Sequence, residues 1–247
     1  MSVHPAAREV LPSKEEKAAA VRSMFGAIAP RYDLLNHLLS LNIDKRWRRR
    51  AIDLLRADLH PDGRYLDACA GTLDLALELA GRSWFTGKVF ASDFTFEMLE
   101  RGRHKIEGQP VVTACADALR LPFPDATFDG ATVGFGVRNL ADLDAGLHEL
   151  ARVLRPGGRL VILEFSTPWW TPFRQLYLFY FLRVLPLIGR LVSRHSRAYT
   201  YLPASVLEFP EPPELARRMA DAGFDEVNWH PLTGGIATIH VGVRRDD

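Results

Sequence analysis

Apolar positions along the chain follow two rhythms. Between Ala18 and Leu59, Val21, Met24, Phe25 and Ile28, then Leu34, Leu35, Leu38 and Leu39, recur at three- and four-residue intervals, which predicts helices interrupted at Pro30. After Leu59 the pattern changes to short apolar runs: RYLDACA (64–70), KVFASD (88–93), VVTACAD (111–117), FDGATVG (128–134) and RLVILEF (159–165). Each reads as a strand. Helical patterns stand between them in LDLALELA (73–80), TFEMLERGRHKI (95–106) and LDAGLHELARVL (143–154), and Pro156-Gly157-Gly158 marks the break before the fifth strand. Such alternation predicts βαβ units around a parallel sheet buried on both faces, an α/β fold. An aromatic-rich insertion follows at 166–204. PPELARRMADAGF (212–224) then reads as a helix ending at Gly223, and VNWHPL and IATIHVGVRR as two closing strands. Residues 1–17, polar and carrying Pro5 and Pro12, are expected to be a loose tail, leaving 18–247 as one domain with 18–60 as a helical lid.

At 247 residues the chain suits one large domain with a well-buried core, and 47% hydrophobic with 25% charged residues is ordinary for a soluble protein. A net charge of +1 gives no global field for nucleic acid. Cys69 and Cys115 are too few for a disulfide framework or a zinc ribbon and read as small buried hydrophobes. No metal-ligand spacing occurs. The first 20 residues lack the continuous apolar core of a secretory signal, so a cytoplasmic location is expected.

The chemistry begins at LDACAGTLDLALELA (66–80), a strand, a glycine-containing turn and a helix. In an open α/β sheet, ligands bind beyond the carboxyl ends of the strands. Asp67 ends the first strand and Gly71 lies in the turn. Asp93 ends the second strand, where a carboxylate can accept from both hydroxyls of a ribose, and Asp117-Ala118 ends the third, where an acid could read an adenine amino group. A dinucleotide-binding enzyme shares these features, but G-x-G-x-x-G is missing: after Gly71 the next glycine is Gly81. A pyrophosphate needs close backbone approach at several points. S-adenosylmethionine, which has no phosphate, fits better. The bland alternative is that Asp67 and Asp93 only cap helices or pair at the surface.

Several blocks carry a family resemblance. VRSMFGAIAPRYDLLNHLLSLNIDKRWRRR (21–50), LPFPDATFDGATVGFGVRN (121–139) and RVLRPGGRLVILEFSTP (152–168) resemble signatures of the ubiquinone/menaquinone biosynthesis C-methyltransferases. VLPLIGRLV, YTYLPASVLEFP and LTGGIATIHVG follow in the same order, so the resemblance spans about 18–244. It implies a Rossmann-like class I methyltransferase: a seven-stranded, mostly parallel sheet with helices on both faces and one antiparallel strand near its edge. Thr72, Asp93 and Asp117-Ala118 fall on the family's cofactor-binding positions. Gly134 stands where the family often has serine, so only backbone could make that contact. The loop is commonly G-T-G-D, and Leu73 replaces its last glycine. With φ below zero Leu73 would simply shield the site; with φ positive it would cost about 1–2 kcal/mol and displace the loop or weaken binding.

The implied reaction places a methyl group on a ring carbon of a polyprenylated quinol, which requires in-line geometry and stabilisation of a phenolate-like oxygen. Arg138 and Asn139, in FGVRN after the fourth strand, are the candidate catalytic pair. Arginine stays charged, which favours phenolate stabilisation or activation of a water; the alternative for Arg138 is a structural salt bridge, with Asp142 as partner. Tyr32 resembles a substrate-site position on the lid, with Asp33 or Asn36 orienting it. Demethylmenaquinol is the favoured substrate, and the 2-methoxy-6-polyprenyl-1,4-benzoquinol is the runner-up. A non-catalytic quinone-binding or assembly protein with a decayed loop is the alternative class. His240, in a closing strand, reads as structural. WWTPFRQLYLFYFLRVLPLIGRLV (169–192) is the most apolar stretch, yet Arg174, Arg183, Arg190 and two prolines interrupt it. It suits a wall for a prenyl tail or a surface dipping into lipid at the inner face of the cytoplasmic membrane. The basic cluster 45–50 reads as a solvated helix face or a headgroup patch. A homodimer, or assembly with other quinone-biosynthesis enzymes, is compatible with the resemblance.

Overall fold

The computed structural model describes residues 11–31, 40, 42–184 and 196–246. The strands follow the apolar runs: β1 (Arg64–Ala68), β2 (Lys88–Asp93), β3 (Val111–Cys115), β4 (Phe128–Gly134), β5 (Leu154–Phe165), β6 (Phe224–Leu232) and β7 (Ala237–Arg244). They form one sheet in the order β3-β2-β1-β4-β5-β7-β6. Pairs from β3 to β5 are parallel, and β7 runs antiparallel to both β5 and β6. This is the seven-stranded arrangement that the resemblance implied. The order reverses between β1 and β4, and that switch point opens a crevice at the carboxyl ends of the strands.

The described helices are α1 (Lys14–Ile28), α2 (Ile43–Leu55), α3 (Asp74–Ala80), α4 (Phe96–Gly102), α5 (Leu143–Val153), α6 (Thr171–Phe179), α7 (Ser196–Glu208) and α8 (Pro212–Asp221). Two apolar layers sandwich the sheet. On one face Trp47, Ala51, Ile52 and Leu55 of α2 and Leu75 and Leu79 of α3 pack on Tyr65, Val161, Leu163 and Ile239. On the other, Leu147 and Leu150 of α5 and Leu215 and Met219 of α8 pack on Leu66, Phe128, Leu160 and Ile162. Consecutive residues of β5 thus alternate between the layers, the period-two consequence of a pleated strand. It explains why that run is continuously apolar.

Some elements depart from the sequence expectation. Helix α1 starts at Lys14, inside the stretch read as tail, because Ser13 caps it: the Ser13 hydroxyl oxygen accepts from Glu16 N (3.3 Å) and its O–H donates to the Glu16 carboxylate (3.1 Å). Strand β5 begins at Leu154, which pairs with Phe128 before the glycine turn, and the ladder with β4 resumes at Arg159. The cysteines are not core residues. Cys115 is exposed because β3 is the edge strand, and Cys69 lies past the end of β1 in the loop. His240 is a buried structural histidine. Its Nε2 lies 3.0 Å from the Pro212 carbonyl oxygen, and burial lowers its pKa to about 4, so the ring is neutral.

Candidate active site

The crevice at the switch point encloses about 720 Å³, part of it open to solvent. Gly71, Asp93, Asp117, Ala118, Gly134 and Asn139 all line it, so residues at or just past the carboxyl ends of β1, β2, β3 and β4 converge. Its roof is α1, which contributes Ala18, Val21 and Phe25. Arg22 of α1 stacks on Phe94, 4.4 Å from the ring centroid, and Lys17 Nζ donates to the Arg138 carbonyl oxygen (3.0 Å). Helix α1 therefore grips both the Phe94 wall of the crevice and the turn that carries the candidate catalytic residues.

Asp93 lines the crevice with both carboxylate oxygens held by backbone. Its Oδ2 accepts from Gly71 N (2.9 Å) and its Oδ1 from Thr95 N (2.8 Å), which leaves further lone pairs on both oxygens. Burial raises its pKa, and these backbone donors pull the other way. Asp117 Oδ1 accepts from Leu119 N (2.9 Å), fixing an exposed carboxylate beside the apolar walls Met98, Ala118 and Leu119. An aromatic base between those walls would meet an acceptor at its edge.

A smaller recess continues from the crevice, sharing Cys69, Gly71, Gly134 and Phe135, and is also lined by Arg48, Asp67, Thr72, Asp74 and Leu75. Asp67 is fully buried. It accepts from Ala76 N (3.0 Å) and from the Thr132 hydroxyl (2.9 Å), and burial pushes its carboxyl up to about 7 against those bonds. Gly134 lies between the two chambers. A Cβ there would meet Leu75 Cδ1 at 2.6 Å, so a serine would require Leu75 to move. In this chain position 134 offers only backbone to either chamber.

Leu73 does not shield the site. Its φ is +74°, so the strained case holds, but the side chain is fully buried in the α2–α3 layer and lines neither chamber. Burying a leucine, at roughly 1.5–3 kcal/mol, offsets about 1–2 kcal/mol of left-handed strain. Leu73→Ala loses the side chain and retains the strain, whereas Leu73→Gly loses both. In denaturant melts both variants are expected to fall by roughly 2–5 kcal/mol, with glycine no less stable than alanine. An alanine variant ahead by the usual helix margin of about 1 kcal/mol would show that no strain exists.

Arg138 sits in the turn after β4 and is buried. Its Nη1 pairs with Glu164 Oε1 at 2.7 Å and also donates to the Phe135 carbonyl, and its backbone N donates to Glu164 Oε2 (3.4 Å). The salt-bridge partner is thus Glu164, not Asp142, which instead caps α5 by accepting from Ala145 N. Arg138 lines neither chamber, whereas its neighbour Asn139 does. Asn139 Nδ2 donates to the Phe135 carbonyl (3.3 Å) and its Oδ1 accepts from the Tyr201 hydroxyl (3.1 Å). Tyr32, with Asp33 and Asn36, lies outside the described residues. Glu164, Tyr201 and Tyr177 were not singled out from the sequence. Only Glu164 carried a signal there: a lone acid in VILEF, at a strand's carboxyl end.

This sheet, with an acid at each of three strand ends around one crevice, defines a Rossmann-like S-adenosylmethionine-dependent methyltransferase. The particular family follows from comparison: the profile of the ubiE/COQ5 methyltransferase family matches residues 11–244, and the chain belongs to that family. Among curated relatives, the ubiquinone/menaquinone biosynthesis C-methyltransferase UbiE of Geobacter sp. (strain M21) is 49% identical over 233 residues, covering 93% of this chain and 98% of that protein. The demethylmenaquinone methyltransferase of Thermus thermophilus is 52% identical over 223 residues, 90% of this chain and 100% of its own. Among solved structures, a SAM-dependent methyltransferase from Thermotoga maritima superposes with a TM-score of 0.61 at 20% identity, covering 90% of this chain and 99% of that one. A Haloferax volcanii methyltransferase in complex with the Trm112 activator gives 0.66 at 16% identity, covering 90% and 98%. At such identities these two speak for the fold.

Proposed function

We propose that this chain methylates a ring carbon of a polyprenylated quinol, with demethylmenaquinol as substrate and the methoxy-polyprenyl-benzoquinol as the second candidate. The observation that carries the reading is the crevice itself, lined by Asp93 and Asp117, with the sequence of a quinone-methyltransferase family around it. S-adenosylmethionine, when bound, supplies the electrophilic methyl group. The residues that would hold it are Asp93, Gly71, Asp117, Ala118 and backbone at Gly134 in the crevice, with Thr72 and Asp67 in the recess.

The chain's own task is to make the ring carbon nucleophilic. Arg138 cannot accept a proton, but the carboxylate it holds can. Burial raises the pKa of Glu164, with Arg138 opposing, so Glu164 is suited to take a proton; the pair lines neither chamber and would act on the ring through its neighbour Asn139, which lines the crevice. Arg138 Nε and the Tyr177 hydroxyl are buried donors with no partner among the described residues, and neither residue lines the crevice. Mass spectrometry of quinones in a deletion strain tests the function. An accumulated demethylated naphthoquinone supports it, a demethylated benzoquinone moves it to the second substrate, and an unchanged profile overturns it.

A prenylated substrate also suggests contact with lipid. Helix α6 and the residues before it expose Trp169 (67%), Trp170 (63%), Leu176 (65%) and Phe179 (62%). The turn at Thr233–Gly235 touches both this apolar face and the basic helix α2: a Cβ on Gly235 would meet Trp169 at 2.9 Å, and Trp47 Nε1 donates to Thr233 Oγ1 (2.9 Å). In the 45–50 cluster, Trp47 and Arg48 are buried while Lys45, Arg46, Arg49 and Arg50 are exposed. An exposed apolar face and four exposed cations on one molecule fit an anionic bilayer. Flotation with phosphatidylglycerol vesicles is expected to carry the wild type up and to leave a Trp169→Ala/Phe179→Ala variant behind. Flotation that ignores anionic lipid would remove the headgroup contribution.

A further inference from the structure

One cation in KRWRRR is turned away from solvent. Arg48 is 9% exposed and projects from α2 into the recess beside Asp67, Thr72 and Asp74. Two acids hold it there, Asp44 Oδ2 at 2.8 Å and Asp74 Oδ2 at 3.1 Å, and both engage the same nitrogen, Nη2. Nε and Nη1 have no partner among the described residues. Around it charges alternate: Lys105 Nζ pairs with Asp74 Oδ1 (3.0 Å) and donates to the Thr72 carbonyl (3.1 Å). Asp44, Arg48, Asp74 and Lys105 sum to zero, which leaves Asp67 as the one acid lining the recess outside these pairs. The recess also presents both signs, a guanidinium fork and the Asp67 carboxyl.

The recess opens from the crevice at Gly71 and Gly134, where a nucleoside held by Asp93 and Asp117 would project its 5′ substituent. We infer that Arg48 binds the carboxylate of the cofactor's amino-acid tail, with Asp67 on the ammonium side, so that this one residue of the lid helix reads the zwitterion. A fork with two unengaged donors matches a carboxylate better than an ammonium point charge does. The inference rests on the cofactor reading above and adds the residue that completes it.

The test is calorimetric titration of the full chain with S-adenosylmethionine and with decarboxylated S-adenosylmethionine, which lacks only the carboxylate. The wild type is expected to prefer the carboxylated form by roughly 10- to 100-fold, the range of a charged hydrogen-bonded pair. In Arg48→Gln that preference should collapse, because only the carboxylated ligand loses a partner, while the decarboxylated form binds as before. Arg48→Lys, which keeps the charge and the acidic partners, should retain part of the preference; it decides the matter if the glutamine variant does not fold. Equal weakening of both ligands, or an undiminished preference, overturns the assignment. A wild type that binds neither ligand overturns the cofactor reading instead.

Discussion

Replacing Arg138 by alanine is expected to cost about 3–5 kcal/mol of stability near neutral pH and to stop methyl transfer. The stability loss follows from Glu164, 2% exposed, which would keep its charge in the interior with only backbone donors left: Phe165 N donates to Oε1 at 2.9 Å. The sign of the pH dependence is fixed. Burial already raises the folded-state pKa of Glu164, and losing Arg138 raises it further, because the guanidinium is the main opposing influence. A raised carboxyl enters the fold protonated at low pH and penalises it as pH rises, so the deficit of the variant should shrink as pH falls. Urea melts of both proteins across that range check this.

Activity loss alone would not separate chemistry from folding. The pair must be replaced together. Arg138→Met with Glu164→Leu removes both charges and fills the space with apolar groups, a change that is often neutral or stabilising for a buried pair. If the pair handles the quinol's proton and phenolate, the double variant should fold, bind S-adenosylmethionine normally and still not turn over. Recovery of turnover with recovery of stability would leave Arg138 a structural residue and move the chemistry to Asn139 and the lid.

Much of the fold was legible because the sheet is buried on both faces: continuous runs such as RLVILEF can satisfy two layers only as central strands. The acids of the crevice were legible for a related reason. Asp93 and Asp117 end their runs, and strand ends in this topology face one crevice. What escaped depends on direction or on distance. The φ of Leu73 is a backbone fact with no sequence signature, and its consequence turned on a buried side chain reached only through packing. Arg138 was paired with Asp142 by proximity along the chain. Its partner lies 26 residues away, and only the parallel pairing of β4 with β5 brings them together. KRWRRR looked uniform because it was read as a cluster. Read at helical spacing, Asp44, Arg48, Ala51, Ile52 and Leu55 lie on one buried face, and the Asp44–Arg48 pair at four residues was already a hint.

Asp93→Asn is expected to weaken S-adenosylmethionine binding by roughly 100-fold or more, the loss of two charge-assisted bonds to a ribose diol. The asparagine also conflicts with its surroundings. Gly71 N and Thr95 N both donate to this carboxylate, one to each oxygen, so an amide must present its NH2 to one of them. The turn that carries Gly71 would lose its anchor on β2 and the cofactor its best acceptor at once. Asp117→Asn should be milder, by about 10-fold, because that carboxylate is exposed and only one of its oxygens is engaged, by Leu119 N. Initial rates separate the two roles further. If Asp93 serves only the ground-state grip on the nucleoside, its variant should raise KM for the cofactor and keep kcat at saturation. A fall in kcat with KM unchanged would place Asp93 on the reaction path through the loop, and near-normal affinity would remove it from the ribose altogether.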